Sequence, residues 1–278
     1  MPELPEIEHA RRLAEKICVG RTITRVKCAD DPIVVVDVTP AQMRRALTGR
    51  RIVGAHRRGK YMWLRLEGAP SVLLHFGMTG SLRVPNTPGL RLAGALWPPA
   101  DEWPPRFTKL ELHFDDGGRI AWTNARRLGR VRLVADPERE PPVADLGFDP
   151  LLDPPALPEF RRLLGRRRAP IKAVLLDQGF SAGVGNWVAD EVLYQARIDP
   201  RRLASDLPPD DGKRLLAALR RVVQKAVEVD ADSDRFPRGW LFHRRWGKNA
   251  LARDAAGNAI AFTEIGGRTT AWVPAVQR

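Results

Sequence analysis

Apolar positions in the first eighteen residues return every three or four places, at Leu4, Ile7, Ala10, Ala14, Ile17 and Cys18. That period lays one stripe along a helix. Glu3 and Glu6 fall in its first turn, where the helix dipole favours carboxylates, and Gly20 stands just past its end. From Arg21 to about Val134 the apolar runs become short and β-rich: Ile33–Val36, Tyr61–Leu66, Val72–Phe76, Leu110–Phe114 and Val131–Val134. Asp115, Asp116, Gly117 and Gly118 predict a hairpin turn between two of these strands, and a shorter helix fits Pro40–Leu47. The first part is therefore expected to be a β-sandwich with a helix attached.

Two proline-rich stretches interrupt this pattern. Trp97–Pro105 holds four prolines and is expected as an exposed loop; residues 137–158 hold seven and predict a linker. Beyond it the period is helical over Glu159–Leu164, Ile171–Leu176, Asn186–Gln195 and about Asp210–Val229, with a Gly-rich segment at Gln178–Gly185. The chain then returns to aromatic and β-prone residues. This divides it into a β-rich domain over 1–136, a linker over 137–156, a helical domain over 157–234 and a terminal segment over 235–278.

The 278 residues carry 46 Lys plus Arg against 33 Asp plus Glu, a net charge of +13. Eight of the basic residues are lysines and 38 are arginines, and the last 44 residues alone hold eight basic and two acidic side chains. Such an excess selects an anionic partner, and nucleic acid leads: no apolar run approaches a membrane span and no basic stretch suits an interfacial helix. With only Cys18 and Cys28, the chain has neither a disulfide framework nor a four-cysteine zinc site. The acidic amino terminus is unlike a secretory signal, so a reducing, cytoplasmic compartment is expected, with work on the nucleoid.

Six placements could carry chemistry. Removal of Met1 before a small residue would leave Pro2 with a free secondary amine, which titrates near neutrality and can attack a sugar C1′. Glu3 and Glu6 share a helical face beside it and could supply an acid and a supporting carboxylate. Arg57-Arg58-Gly59-Lys60 precedes a buried strand and could contact phosphate. In His75-Phe76-Gly77-Met78, the Met sits on a tight glycine loop as an apolar wedge would. Asn124-Ala125-Arg126-Arg127-Leu128-Gly129-Arg130 sets arginines around one leucine, a combination suited to probing a duplex. Gly183-Val184-Gly185-Asn186 would open a helix towards an anion, and Gly266-Gly267-Arg268-Thr269-Thr270 is a hairpin presenting an arginine. Taken singly, each has a plainer account as a helix start, a solvated turn, a structural histidine or a basic hairpin.

Taken in order, the motifs closely resemble the formamidopyrimidine-DNA glycosylase and endonuclease VIII family. Pro-Glu-Leu-Pro-Glu at 2–6, Arg-Arg-Gly-Lys at 57–60, His-Phe-Gly-Met at 75–78, Gly-Val-Gly-Asn-Trp-Val-Ala-Asp-Glu at 183–191 and Gly-Gly-Arg-Thr-Thr at 266–270 carry it. The resemblance implies an α+β fold: an N-terminal helix plus β-sandwich domain, a helix-two-turn-helix domain and a C-terminal β-hairpin finger, with DNA held between domains. It implies Pro2 as the Schiff-base nucleophile, Glu3 as the acid that helps open the sugar, and Glu6 in support. Lys60, Asn186 and Arg268 would grip phosphates with His75 assisting, while Met78, Arg126 and Leu128 would fill the gap left by an everted base.

Two departures refine the resemblance. Typical bacterial members end in Cys-Pro-x-Cys-Gln, whereas this chain reads Val273-Pro274-Ala275-Val276-Gln277, so the finger is similar to the zincless form of plant and fungal relatives. No metal and no cofactor are expected. Leu128 stands where most members have Phe, and the loop that closes over 8-oxoguanine in typical members, placed after Val229, is not recognisable. The implied protein is a monomeric, bifunctional glycosylase and abasic-site lyase acting on damaged double-stranded DNA, with formamidopyrimidines and further-oxidised guanines ahead of 8-oxoguanine. A non-catalytic lesion binder and an endonuclease VIII-like preference for oxidised pyrimidines are the rival readings; the intact Pro2 and Glu3 argue against the first.

Overall fold

The computed structural model describes residues 2–68, 70–87, 89–90 and 102–278. Residues 97–101 of the expected proline-rich loop lie outside the described residues. Contacts divide the chain into two compact units, residues 1–145 with 230–233, and residues 146–229 with 234–278.

The first unit opens with α1 (Leu4–Cys18), started by Pro5 and by Glu6, whose Oε2 accepts the Glu3 N–H at 2.8 Å. Its apolar stripe, Ile7, Ala10, Ala14 and Cys18, is buried. Among the described residues eight strands follow, with α2 (Pro40–Leu47) between the first two: β1 (Ile23–Cys28), β2 (Ile52–Arg58), β3 (Tyr61–Leu66), β4 (Ser71–His75), β5 (Gly80–Arg83), β6 (Thr108–Phe114), β7 (Arg119–Asn124) and β8 (Arg130–Val134). They form two antiparallel sheets, ordered β1-β6-β7-β5 and β2-β3-β4-β8. Alternate side chains of both, among them Val26, Leu112 and Trp122 from one and Met62, Leu74 and Val131 from the other, join Ile7 and Ala14 of α1 in a single core. The β6–β7 turn is the expected one, closed by Phe114 N–H to Gly118 O at 2.8 Å.

Ile33–Val36 is not a strand. Asp31 O accepts the N–H groups of Val34 and Val35 at 2.9 and 2.7 Å, so the segment is a turn that meets β8 only through a bridge at Val35 and Val131. The Asp-Pro turn overrides the β-branched composition.

The second unit holds α3 (Leu157–Gly165), α4 (Ile171–Leu176), α5 (Asn186–Ala196) and α6 (Pro209–Glu228), then the hairpin β9 (Ala261–Ile265) and β10 (Arg268–Trp272). Helix α5 is buried over most of its length and packs on the apolar face of α6. Between α4 and α5 the chain makes two turns, the helix-two-turn-helix arrangement. Gln178 pins them: its Nε2 donates to Leu176 O and Val184 O at 2.8 and 2.9 Å, and its Oε1 accepts Gly183 N–H at 3.0 Å. Gly266 and Gly267 connect β9 and β10 with φ of 59° and 68°, the left-handed pair that a two-residue hairpin turn requires.

Candidate active site and nucleic-acid interface

Pro2 is buried at the amino end of α1, with Glu3 and Glu6 only 2% and 5% exposed. Pro2, Glu6, His9, Phe76 and Arg83 line one cavity. Burial, and then the charge of Glu3, push the Glu6 carboxyl up to about 7. It can therefore hold or release a proton near neutral pH in the cavity that Pro2 also lines. Folded and unfolded chains both protonate Glu6 below its ordinary value of 4.5, but between 4.5 and 7 only the fold keeps the proton. Glu6 thus lowers stability progressively as pH rises through that window, and the loss is complete above it. Glu6→Gln is expected to melt like the wild type at pH 4 and above it at pH 8, read by thermal denaturation; a wild-type advantage that grows with pH would contradict this.

Lys60 follows Gly59, whose φ of 56° turns the chain from β2 into β3. The preceding Arg57 is buried and ties this turn to α1: its Nε meets Glu8 Oε2 at 3.0 Å and its Nη1 donates to Gly59 O at 3.2 Å. Lys60 is half-buried, and it contributes with Arg130 to holding His75 neutral. Burial first, then these two cations, push the His75 ring down to about 4. His75 also packs on Tyr61, with ring centroids 4.7 Å apart.

Met78, Arg126 and Leu128 come from two loops that are fastened together. Gly77 has φ of 60°, and a Cβ there would lie 2.5 Å from the Leu128 carbonyl carbon, so the close approach needs glycine. Asn124, fully buried, donates from Nδ2 to Phe76 O at 3.0 Å and accepts Gly129 N–H at 3.1 Å; Thr79 Oγ1 accepts Arg126 N–H at 3.2 Å. Arg126 is exposed and Leu128 is 44% exposed. Arg127 differs: its φ is 54° and its guanidinium chelates Asp31, with Nη2–Oδ1 and Nε–Oδ2 both at 3.0 Å. Arg127 and, against burial, Lys109 hold the Asp31 carboxyl below the usual carboxylate range.

In the second unit Asn186 begins α5, and its Nδ2 donates to Thr269 O at 2.9 Å, beside exposed Arg268 at the head of β10. Asp190, one turn along α5, is fully buried. It accepts Lys172 Nζ, Arg245 Nη2 at 2.6 Å and Ala271 N–H at 3.1 Å, joining α4, α5, the 240s segment and β10. Among the described residues, no cluster of three His, Cys, Asp or Glu side chains could hold a metal ion.

Residues 1–131 match the formamidopyrimidine-DNA glycosylase N-terminal domain, and residues 146–237 match the H2TH domain of the same family. The chain is 42% identical over 278 residues to the formamidopyrimidine-DNA glycosylase of Arabidopsis thaliana, covering all of this chain and 71% of that one. The chain belongs to the formamidopyrimidine-DNA glycosylase family. The Thermus thermophilus relative is 34% identical over 291 residues, covering 100% and 98% of the two chains. The crystal structure of the MutM (Fpg) protein from that organism superposes with a TM-score of 0.76 at 33% identity, covering 99% of this chain and 98% of that one. The Lactococcus lactis formamidopyrimidine-DNA glycosylase, non-covalently bound to DNA containing an AP site, superposes with a TM-score of 0.82 at 26% identity over 99% of each chain.

In this member of the family, the motifs contain the candidate residues, and the side chains that anchor them lie partly inside the motifs and partly far from them in sequence. The first unit brings together Pro2, Glu3 and Glu6, sets Lys60 beside His75, and joins Met78 to Arg126 and Leu128. The second joins Asn186 to the strand that carries Arg268. Glu8 and Asp31 lie outside every motif, and Arg57, Asn124 and Arg127, which the motifs place towards DNA, instead hold their loops to α1, Phe76 and Asp31. The only signal for Asp190 was its position inside the Gly183–Glu191 motif.

Proposed function

We propose that the chain is a base-excision DNA glycosylase with abasic-site lyase activity, using the Pro2 amine as its nucleophile. The carrying observation is Pro2 buried at the helix start, with two enclosed carboxylates beside it, in a chain that matches its family across both domains. With Met1 removed, the Pro2 nitrogen attacks C1′, the damaged base departs, and Glu3 donates a proton as the sugar ring opens. The resulting iminium draws electrons from C2′, whose proton is lost as the 3′ phosphate leaves; a second elimination releases the 5′ phosphate. Nucleophile and lyase are then one group.

Lys60, Asn186 and Arg268, with His75 assisting, bind strand phosphates, and Met78, Arg126 and Leu128 enter the duplex as the base turns out. Wedge contacts offset the few kcal/mol of unstacking. Formamidopyrimidines and further-oxidised guanines rank ahead of 8-oxoguanine. In support, helix α6 ends at Glu228, and residues 230–233 pack with the first unit, where Asp230 pairs with Arg12 of α1 at 3.2 Å. Base release from otherwise identical duplexes is expected to follow that order; equal or faster release of 8-oxoguanine overturns the ranking, oxidised pyrimidines released fastest favour the endonuclease VIII-like preference, and no release of any base overturns the glycosylase reading.

The finger works as a metal-free hairpin and the protein as a monomer. Supporting this, Gln277 is buried and closes the last turn: its Oε1 accepts Val273 N–H at 2.7 Å and its Nε2 donates to Ile198 O at 3.0 Å. Leu241, Ile260, Ala271 and Val273 supply an apolar core beside it. Elemental analysis of the purified protein is expected to find no stoichiometric zinc.

A further inference from the structure

Strand alternation sends Met62, Leu74 and Val131 into the core of the first unit, and Tyr61, His75, Arg130 and Arg132 to the opposite face of their sheet. Register brings them together. Tyr61 pairs with His75 and His75 with Arg130, while Leu73, two places before His75, pairs with Arg132. With Pro142 these residues line a cavity of about 130 Å³, and among the described residues no Asp or Glu lines it. That is room for a tetrahedral oxyanion, since a water takes about 30 Å³ of liquid.

Arg132 is the informative side chain. Its Nε is buried with no hydrogen-bond partner, and the residue forms no ion pair among the described residues. Two anchored arginines of this unit behave differently: Arg57 meets Glu8 and Arg127 meets Asp31, each at 3.0 Å. A desolvated guanidinium donor without an acceptor is unfavourable, and buried donors in folded proteins are nearly always satisfied. Arg130 adds a second positive charge, held in place by Nη1 donating to Gly129 O at 2.7 Å and to Arg127 O at 3.2 Å. The neutral His75 ring and the Tyr61 hydroxyl can each donate a further hydrogen bond. Two cations and neutral donors, with no acid among the described residues, make a site for a doubly or singly charged oxyanion, which guanidinium forks suit.

We propose that this cavity is a phosphate subsite in which Arg132 and Arg130 bind a phosphate of the DNA strand, extending the grip of Lys60 and His75. It rests on the DNA-binding reading above. The phosphate is either an internal diester of the uncleaved strand or the terminal monoester that β,δ-elimination leaves at the gap. Both present the same oxygens to the arginines.

The test uses the full chain, Arg132→Gln and Arg132→Lys. Binding is measured across a salt series to three duplexes: one with a tetrahydrofuran abasic analogue, one with a one-nucleotide gap bearing phosphates at both ends, and the same gap bearing hydroxyls. Arg132→Gln is expected to bind about three- to tenfold more weakly, with a salt slope shallower by about one, and Arg132→Lys to recover the slope but only part of the affinity. Loss on all three duplexes identifies the internal diester; loss confined to the phosphate-ended gap identifies the terminal monoester. Inorganic phosphate, at constant ionic strength, is expected to raise the melting temperature of the wild type and not of Arg132→Gln. Wild-type affinity and slope in Arg132→Gln, or an equal phosphate effect on both proteins, overturns the subsite while leaving DNA binding intact. A wild type that binds none of the duplexes overturns the DNA-binding reading instead, and the phosphate measurement then decides the cavity alone.

Discussion

A chain extended by a few residues ahead of Pro2 is expected to lose borohydride-trapped cross-links to abasic DNA by about a thousandfold or more, the scale of removing a covalent nucleophile. The extension converts the Pro2 amine into an amide, whose lone pair is delocalised into the carbonyl and cannot attack C1′. Glu3, Glu6, Lys60 and Arg268 are unchanged in such a chain, so duplex affinity measured alongside separates lost chemistry from lost binding. Borohydride reduces the iminium to a stable amine, which makes the covalent species countable on a denaturing gel. An extended chain that binds and still cross-links as well as the processed wild type removes Pro2 from the mechanism. The position is demanding because Pro2 is buried, so the thermal transition of the extended chain is the necessary companion measurement.

Asp190→Ala is expected to destabilise the second unit by about 3–5 kcal/mol, the range for removing one partner of a buried ion pair. Lys172 and Asp190 are fully buried and Arg245 is 7% exposed, so the alanine leaves two enclosed cations without their carboxylate. The same change removes the acceptor of the Ala271 N–H in β10. With about 2–4 °C of melting temperature per kcal/mol at this chain length, the shift is roughly 6–20 °C. Asp190→Asn keeps the shape and an acceptor but not the charge, and is expected to fall between. A loss below about 1 kcal/mol in Asp190→Ala, read by chemical denaturation, would mean the cluster contributes no more than a surface pair.

Much of the fold was legible where local rules and burial agree. Pro40–Leu47, Tyr61–Leu66 and Ile171–Leu176 occupy the residues their patterns predict. Each combines a single period with a nearby start or stop signal, so neighbours a few places away suffice. Ile33–Val36 failed because its β-branched composition is a weak preference, while Asp31 O captures two of its N–H groups. The candidate catalytic residues were legible as motifs, since Pro2 and Glu3 need only their own order in the chain.

Arginines drew the sharpest line between sequence and structure. Arg57 and Arg58, or Arg126 and Arg127, are interchangeable in composition and charge. Arg57 is an anchor because Glu8 lies 49 positions before it, and Arg127 because Asp31 lies 96 positions before it. Arg132, in the same basic stretch, meets no carboxylate at all among the described residues. By itself the sequence determined the helical and β-rich segments, the basic excess, the family motifs and the absence of a four-cysteine site. Only the tertiary structure decided which cations are neutralised by a carboxylate inside the protein and which, like Arg132, meet none among the described residues. The reason is physical: periodicity and capping act over a few residues, whereas desolvation and ion pairing depend on groups that only folding brings within about 3 Å of one another.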